Sequence, residues 1–200
     1  MRVLMLESHA GLANAAVARM TEAGHTIVRC ETADRRSPCR GLAPGGECPL
    51  DEHVDVAVLV QEIGTCHVEH GAVCAARSRV PVVALDGADI APRLPITSWT
   101  AVTGPGLLAE CERAARDGRA HAKAVEQRLI VLGVVTPAEL GPLDGTVAIA
   151  VERGTNRLRM TIELADSVRD RQTEIVRAAT QALRDFDRQP DVIDIAVRSA

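Results

Sequence analysis

Three short apolar runs, at residues 3–6, 54–60 and 80–85, constrain this chain more than any other feature. Each is apolar on both faces, as a strand must be when it lies between two packed layers. Helix-length segments separate them. Residues 12–23 carry Leu12, Ala16 and Met20 on one face, with Gly24 as the stop. Residues 68–77 form a second helical segment, and a third follows Gly104-Pro105-Gly106 and runs to Asp117. Residues 26–30 read as a further strand and residues 100–103 as a short fifth. Pro81 stands near the start of its strand, where a missing N–H is tolerated. Strands alternating with helices predict a parallel sheet wrapped by helices, an α/β unit over residues 1–117.

With about five strands, the natural order for such a sheet is the flavodoxin-like one. One crossover departs from the pattern. Residues 31–53 stand where a helix belongs, yet they contain Pro38, Pro44, Pro49, Gly41, Gly45 and Gly46, which exclude a regular helix. A loop of this length is usually functional or disordered, and Cys39 and Cys48 give it a means of being tethered.

The pattern changes after Gly118. A helix over residues 119–132 carries Val125, Leu129 and Leu132. Val147, Ile149 and Val151 then alternate with small or polar residues, as do Leu158, Met160, Ile162 and Leu164, with Gly154-Thr155-Asn156 between. That is a β-hairpin with one buried and one wet face. Asp166 or Ser167 caps a helix whose inner stripe is Val168, Ile175, Ala179, Ala182 and Phe186; Pro190 stops it and residues 192–197 close the unit as a strand. Residues 118–200 thus read as a helix plus a small α+β unit of ββαβ order.

The chain excludes several functions. Trp99 and Phe186 are its only aromatic residues besides histidine, so a surface that stacks bases is not expected. The net charge of −4 lies in the first 115 residues and the remainder is balanced. Neither half has the basic field that nucleic-acid binding needs. The abundance of Arg, with Lys123 the only Lys, matches a high-GC codon usage. No apolar stretch is long enough to span a membrane, and the apolar run at the start is too short for a signal peptide. A cytoplasmic location follows as the expectation, and there six cysteines act as thiols or ligands rather than as a disulfide framework.

Two resemblances follow from the order of elements. Residues 2–7, Arg-Val-Leu-Met-Leu-Glu, and residues 55–61, Asp-Val-Ala-Val-Leu-Val-Gln, resemble the first and third strands of the receiver family of response regulators. A working receiver carries a phosphoacceptor Asp at the end of the third strand, an acid pair after the first and a Lys near the fifth. Here Val60 or Gln61 stands at the acceptor position, Glu7 is followed by Ser8, and the first half has no Lys. The resemblance therefore implies a receiver-like shell without phosphotransfer. Residues 146–198 are similar in alternation and order to the ββαβ unit of the alkaline-shock protein family, which implies an assembly or scaffold role and brings no catalytic residue.

The chemistry-bearing residues are mostly Cys and His. Cys39 and Cys48 flank the Gly/Pro loop, and Cys66, His67, His70 and Cys74 follow the third strand. All are expected near the carboxyl edge of the sheet, where such folds bind ligands. His67 and His70, or His70 and Cys74, share a helical face. Thiolate and imidazole donors suit zinc, or an iron–sulfur cluster if four cysteines converge. Three readings stay open: a metal held by Cys39, Cys48 and Cys74 with one of Cys66, His67 or His70; a Cys39–Cys48 disulfide; and free loop thiols with Cys30 and Cys74 as small core residues. Cys111 falls on the apolar stripe of its helix.

A second candidate is an anion site where residues 8–13, Ser-His-Ala-Gly-Leu-Ala, join the first strand to a helix start, with His9 and Gly11 as the binding residues. The expected function is a non-catalytic regulatory or scaffold protein that forms a homo-oligomer, or joins a protein partner, through its second half. The alternative is an enzyme or a small-molecule binding module that uses the carboxyl-edge cleft.

Overall fold

In the first unit, apolar side chains alternate between two layers. Five strands form its sheet: β1 (Arg2–Glu7), β2 (Thr26–Arg29), β3 (Val56–Val60), β4 (Val82–Leu85) and β5 (Trp99–Val102). All pair in parallel, in the order β2-β1-β3-β4-β5. Successive strand side chains point to opposite faces, so β1 sends Val3 and Met5 into one layer and Leu4 and Leu6 into the other. The first layer is closed by α1 (Asn14–Glu22) and α3 (Leu107–Arg116), through Ala16, Met20, Leu107 and Cys111. The second receives α2 (His70–Arg77) through Ala72 and Ala75, together with Leu50 and Val54 from the segment ahead of β3. Contact between α2 and the sheet is close: a methyl group at Gly71 would come within 2.5 Å of Leu6 Cδ2.

This computed structural model describes residues 1–7, 10–30, 41, 46–60, 70–85, 99–140, 145–154, 156–188 and 190–199, with the backbone alone at 70, 99 and 101. The chain divides into two compact units, Met1–Ala115 and Arg116–Ala200. Among the described residues no helix is long and apolar enough to cross a membrane.

The second unit is a three-stranded sheet covered by helices. β6 (Val147–Gly154) and β7 (Arg157–Leu164) pair antiparallel, and β8 (Val192–Ser199) joins β7 in parallel, giving the order β6-β7-β8. One face carries Val147, Val151, Leu158, Met160, Ile162 and Leu164 into a core shared with α4 (Arg119–Val131) and α5 (Gln172–Phe186). Full burial of each such side chain stabilises by about 1.5–3 kcal/mol. The turn between β6 and β7 fixes β8 as well. Asn156 sits at a φ of +54°, which Asn tolerates better than most residues. Its side-chain amide donates to the Asp191 carboxylate and accepts the Asp191 N–H at 3.2 Å, so the hairpin turn grips the residue just before β8.

Several sequence expectations shift. Leu12 lies in the turn before α1 and is exposed, because the helix begins two residues later at Asn14. Leu132 is exposed too: α4 ends at Val131, and Gly133, at a φ of +67°, turns the chain away. The long helix of the second unit starts as a 3-10 segment over Asp166–Arg171, and neither Asp166 nor Ser167 caps it; the residue before it is Ala165. Of the loop at 31–53, residues 31–40 and 42–45 lie outside the described residues, while Pro49–Asp51 form a single 3-10 turn.

Candidate functional site

β1 ends on Glu7, which pairs with Val60, the last residue of β3, at the carboxyl edge of the sheet. Its side chain is only 2 % exposed. A buried carboxylate is costly unless it is paired and hydrogen-bonded, and the chain supplies both kinds of partner. Arg29, the last residue of β2, forms an ion pair with Oε1. The Ala13 N–H donates to Oε2 at 2.8 Å. Ala13 directly precedes α1, so Glu7 satisfies one of the donors that a helix start leaves unbonded and sits at its positive end. Arg29 is held in turn by Asn14, the first residue of α1, whose Oδ1 accepts from it at 3.2 Å. Gly11, at a φ of +90°, lets the connecting turn fold back so that α1 begins over the end of β1.

The chain's own carboxylate thus takes one of the donors at the start of α1. Of the residues read there from the sequence, Gly11 has a backbone role in the turn and His9 lies outside the described residues. At the end of β3 stands Val60, buried and apolar.

Four of the six cysteines fall among the described residues. Cys48, Cys74 and Cys111 are free thiols. Cys30 follows β2 at the carboxyl edge and is buried in the layer under α2. Cys74 is half-buried on α2, one turn after His70. Cys48 lies beside Arg2, at the amino-terminal edge of the sheet. The physical reason is that a parallel crossover must carry the chain from the carboxyl end of β2 to the amino end of β3, and Cys48 lies near its far end. Asp55 and Arg2 mark that edge: the Asp55 N–H donates to Arg2 O at 2.9 Å, and the Arg2 N–H donates to Asp55 Oδ2 at 2.7 Å. Arg2 also forms an ion pair with Glu52. Cys48 lines a shallow groove of about 370 Å³ there, with Arg2, Val28, Glu47, Asp51 and Glu52. Cys39, Cys66 and His67 lie outside the described residues, as does the side chain of His70. Among the described residues no group of three or more His, Cys, Asp or Glu side chains is placed to hold a metal.

Cys111 is buried in the layer with α1. Burial, reinforced by the neighbouring Glu110 and Glu112, pushes its thiol up to about 12, so it stays protonated and inert. Asp55 behaves differently. Burial pushes its carboxyl up, but the His53 hydrogen bond at 2.9 Å and the Arg2 N–H outweigh that and hold it below the usual carboxylate range.

The second unit contains a polar pair that sequence reading missed. His121 on α4 and Asp187 just after α5 are both almost wholly buried and meet at 2.9 Å, Nε2 to Oδ2. The imidazole also packs edge-on against Phe186, with ring centroids 5.2 Å apart and planes at 78°. Its Nδ1 is buried without a hydrogen-bond partner among the described residues. The signal was available in the spacing: His121, Val125 and Leu129 recur every four residues, and all three are buried. Arg29 as the partner of Glu7 had no comparable signal, because only the strand order makes β2 and β1 neighbours.

Comparison with protein-family models, with curated proteins and with solved structures finds no match to the chain.

Proposed function

We propose that this chain is a non-catalytic regulatory or scaffold protein, with a flavodoxin-like, receiver-like first unit and a ββαβ second unit that mediates assembly. The observation that carries the first part is the state of Glu7. In a phosphotransfer site the acid after the first strand is left open to bind a cation. Here it is neutralised by Arg29 and hydrogen-bonded by the Ala13 N–H, and any cation brought to it must displace the arginine. The strand order β2-β1-β3-β4-β5 supports the flavodoxin-like reading. The apolar Val60 at the end of β3 supports a shell that has kept the architecture without the phosphoacceptor.

The strand-strand-helix-strand order of the second unit, with a wet outer face and a final strand whose outer edge has no neighbouring strand among the described residues, supports an assembly role. Incubation with an acyl phosphate donor and magnesium, followed by intact mass measurement, tests the first part. The expected result is an unmodified chain. A mass increase of one phosphate that maps to a carboxylate of the first unit would overturn the reading.

A further inference from the structure

Along β8 the outward side chains form two half-finished rows of charge. In the first row Glu152 on β6 stands opposite Arg159 on β7, and Arg159 opposite Asp194 on β8, whose carboxylate also meets the half-exposed Arg157 at 3.5 Å. In the second row Glu163 on β7 stands opposite Arg198 on β8. Each row alternates in sign across the sheet, and each stops at the outer edge of β8, which pairs with no further strand among the described residues. One ends on an acid and the other on a base, four residues apart on one strand.

We infer that β8 pairs antiparallel with β8 of a second copy of this chain, about a two-fold axis through Ala196. This rests on the assembly reading above and names its surface and partner. A two-fold perpendicular to the sheet sets Ala196 opposite its counterpart, Asp194 opposite Arg198 of the second copy, and Ile195 opposite Val197. The rows then run on as Glu152, Arg159, Asp194, and across the junction Arg198 and Glu163 of the second copy, alternating in sign throughout. On the other face, Val197 is 37 % exposed, and Ile193 and Ile195 are half-buried beside the core residues Leu158 and Met160. Pairing covers Val197 and Ile195 against each other.

Neighbouring registers fail. A two-fold through Ile195 sets Arg198 against Val192, and one through Asp194 sets two carboxylates face to face. A two-fold through Val197 sets Arg198 against Ala196, and one through Arg198 opposes two guanidinium groups. Only the axis through Ala196 makes both charged pairs complementary. Antiparallel ladders accept a two-fold at a hydrogen-bonded or a non-hydrogen-bonded pair, so the backbone permits this axis in either phase. Edge strands commonly carry charge to block such pairing; on β8 the one acid and one base instead select a single partner and register.

Sedimentation equilibrium of the full chain tests this, with circular dichroism to confirm that each variant is folded. The wild type is expected to be a dimer. Asp194→Arg opposes Arg to Arg198 in both pairs, and Arg198→Asp opposes Asp to Asp194 in both. Each variant alone is expected to dimerise about tenfold more weakly or worse. An equimolar mixture of the two restores both complementary pairs and is expected to recover the dimer, which a merely structural defect would not do. If the single variants dimerise as tightly as wild type, the β8 interface is wrong while assembly through another face survives. If the mixture fails to recover, the charge register is wrong. A wild type that stays monomeric at the highest attainable concentration overturns both this inference and the self-assembly reading beneath it.

Discussion

Replacing His121 with Ala removes the imidazole that Asp187 bonds inside the second unit. Both side chains are nearly inaccessible to water, at 3 % and 2 % exposure, so solvent cannot substitute for the lost partner. A hydrogen bond to a charged group is worth about 1.5–3 kcal/mol net. The edge-to-face contact with Phe186 adds about 0.5–1.5 kcal/mol. Breaking a buried pair by deleting one member costs about 3–5 kcal/mol in general. The lower end of that range, about 3 kcal/mol, is the expectation for His121→Ala. For a unit of this size that lowers the melting temperature by roughly 12–20 °C. Asp187→Asn keeps an acceptor for Nε2 and loses only the charge, so about 1–2 kcal/mol is expected. Urea unfolding followed by far-UV circular dichroism gives the values, and hydrogen exchange at α5 and β7 amides assigns the loss to the second unit. A cost below about 1 kcal/mol for His121→Ala would refute the reasoning, because no desolvated pair is that cheap to break. So would strict additivity in the double variant, since groups in contact must couple.

Further predictions follow the same logic. Gly118→Ala should destabilise the second unit by about 1–3 kcal/mol, because the added methyl would lie 1.9 Å from the backbone oxygen of Val151 and β6 must shift; an unchanged urea midpoint would contradict the close approach. Glu7→Gln should cost the first unit about 1–2 kcal/mol, since Arg29 is 39 % exposed and rehydrates in part; Trp99 fluorescence during unfolding reads the loss. Asp55 has a folded-state pKa below its unfolded one, so its stabilisation is complete above about pH 3.9 and disappears as pH falls through the folded value. Wild type and Asp55→Asn should therefore differ in stability at neutral pH and converge in acid, as a pH series of melting temperatures would show. Brief alkylation of the native chain with peptide mapping should label Cys48 and Cys74 and spare Cys111; labelling of Cys111 at the rate of Cys48 would contradict its protonated, buried state.

Local pattern alone determined much of this molecule. The short apolar runs specify parallel strands and the alternation at 147–164 specifies a hairpin, because side-chain direction is set by backbone period and solvent acts on every residue separately. Glu7 could be placed at a strand end, and Cys111 in the core, from sequence neighbours alone. Other features needed residues far apart in the chain to meet. Arg29 reaches Glu7 only because β2 lies beside β1, and His121 reaches Asp187 only because α4 packs on the end of α5, with 66 positions between them. The same holds for Cys48, whose place beside Arg2 follows from the direction of the crossover and not from the loop's composition. Burial periodicity is a property of one element at a time. Pair chemistry depends on which elements become neighbours, and that is decided by the packing of whole layers.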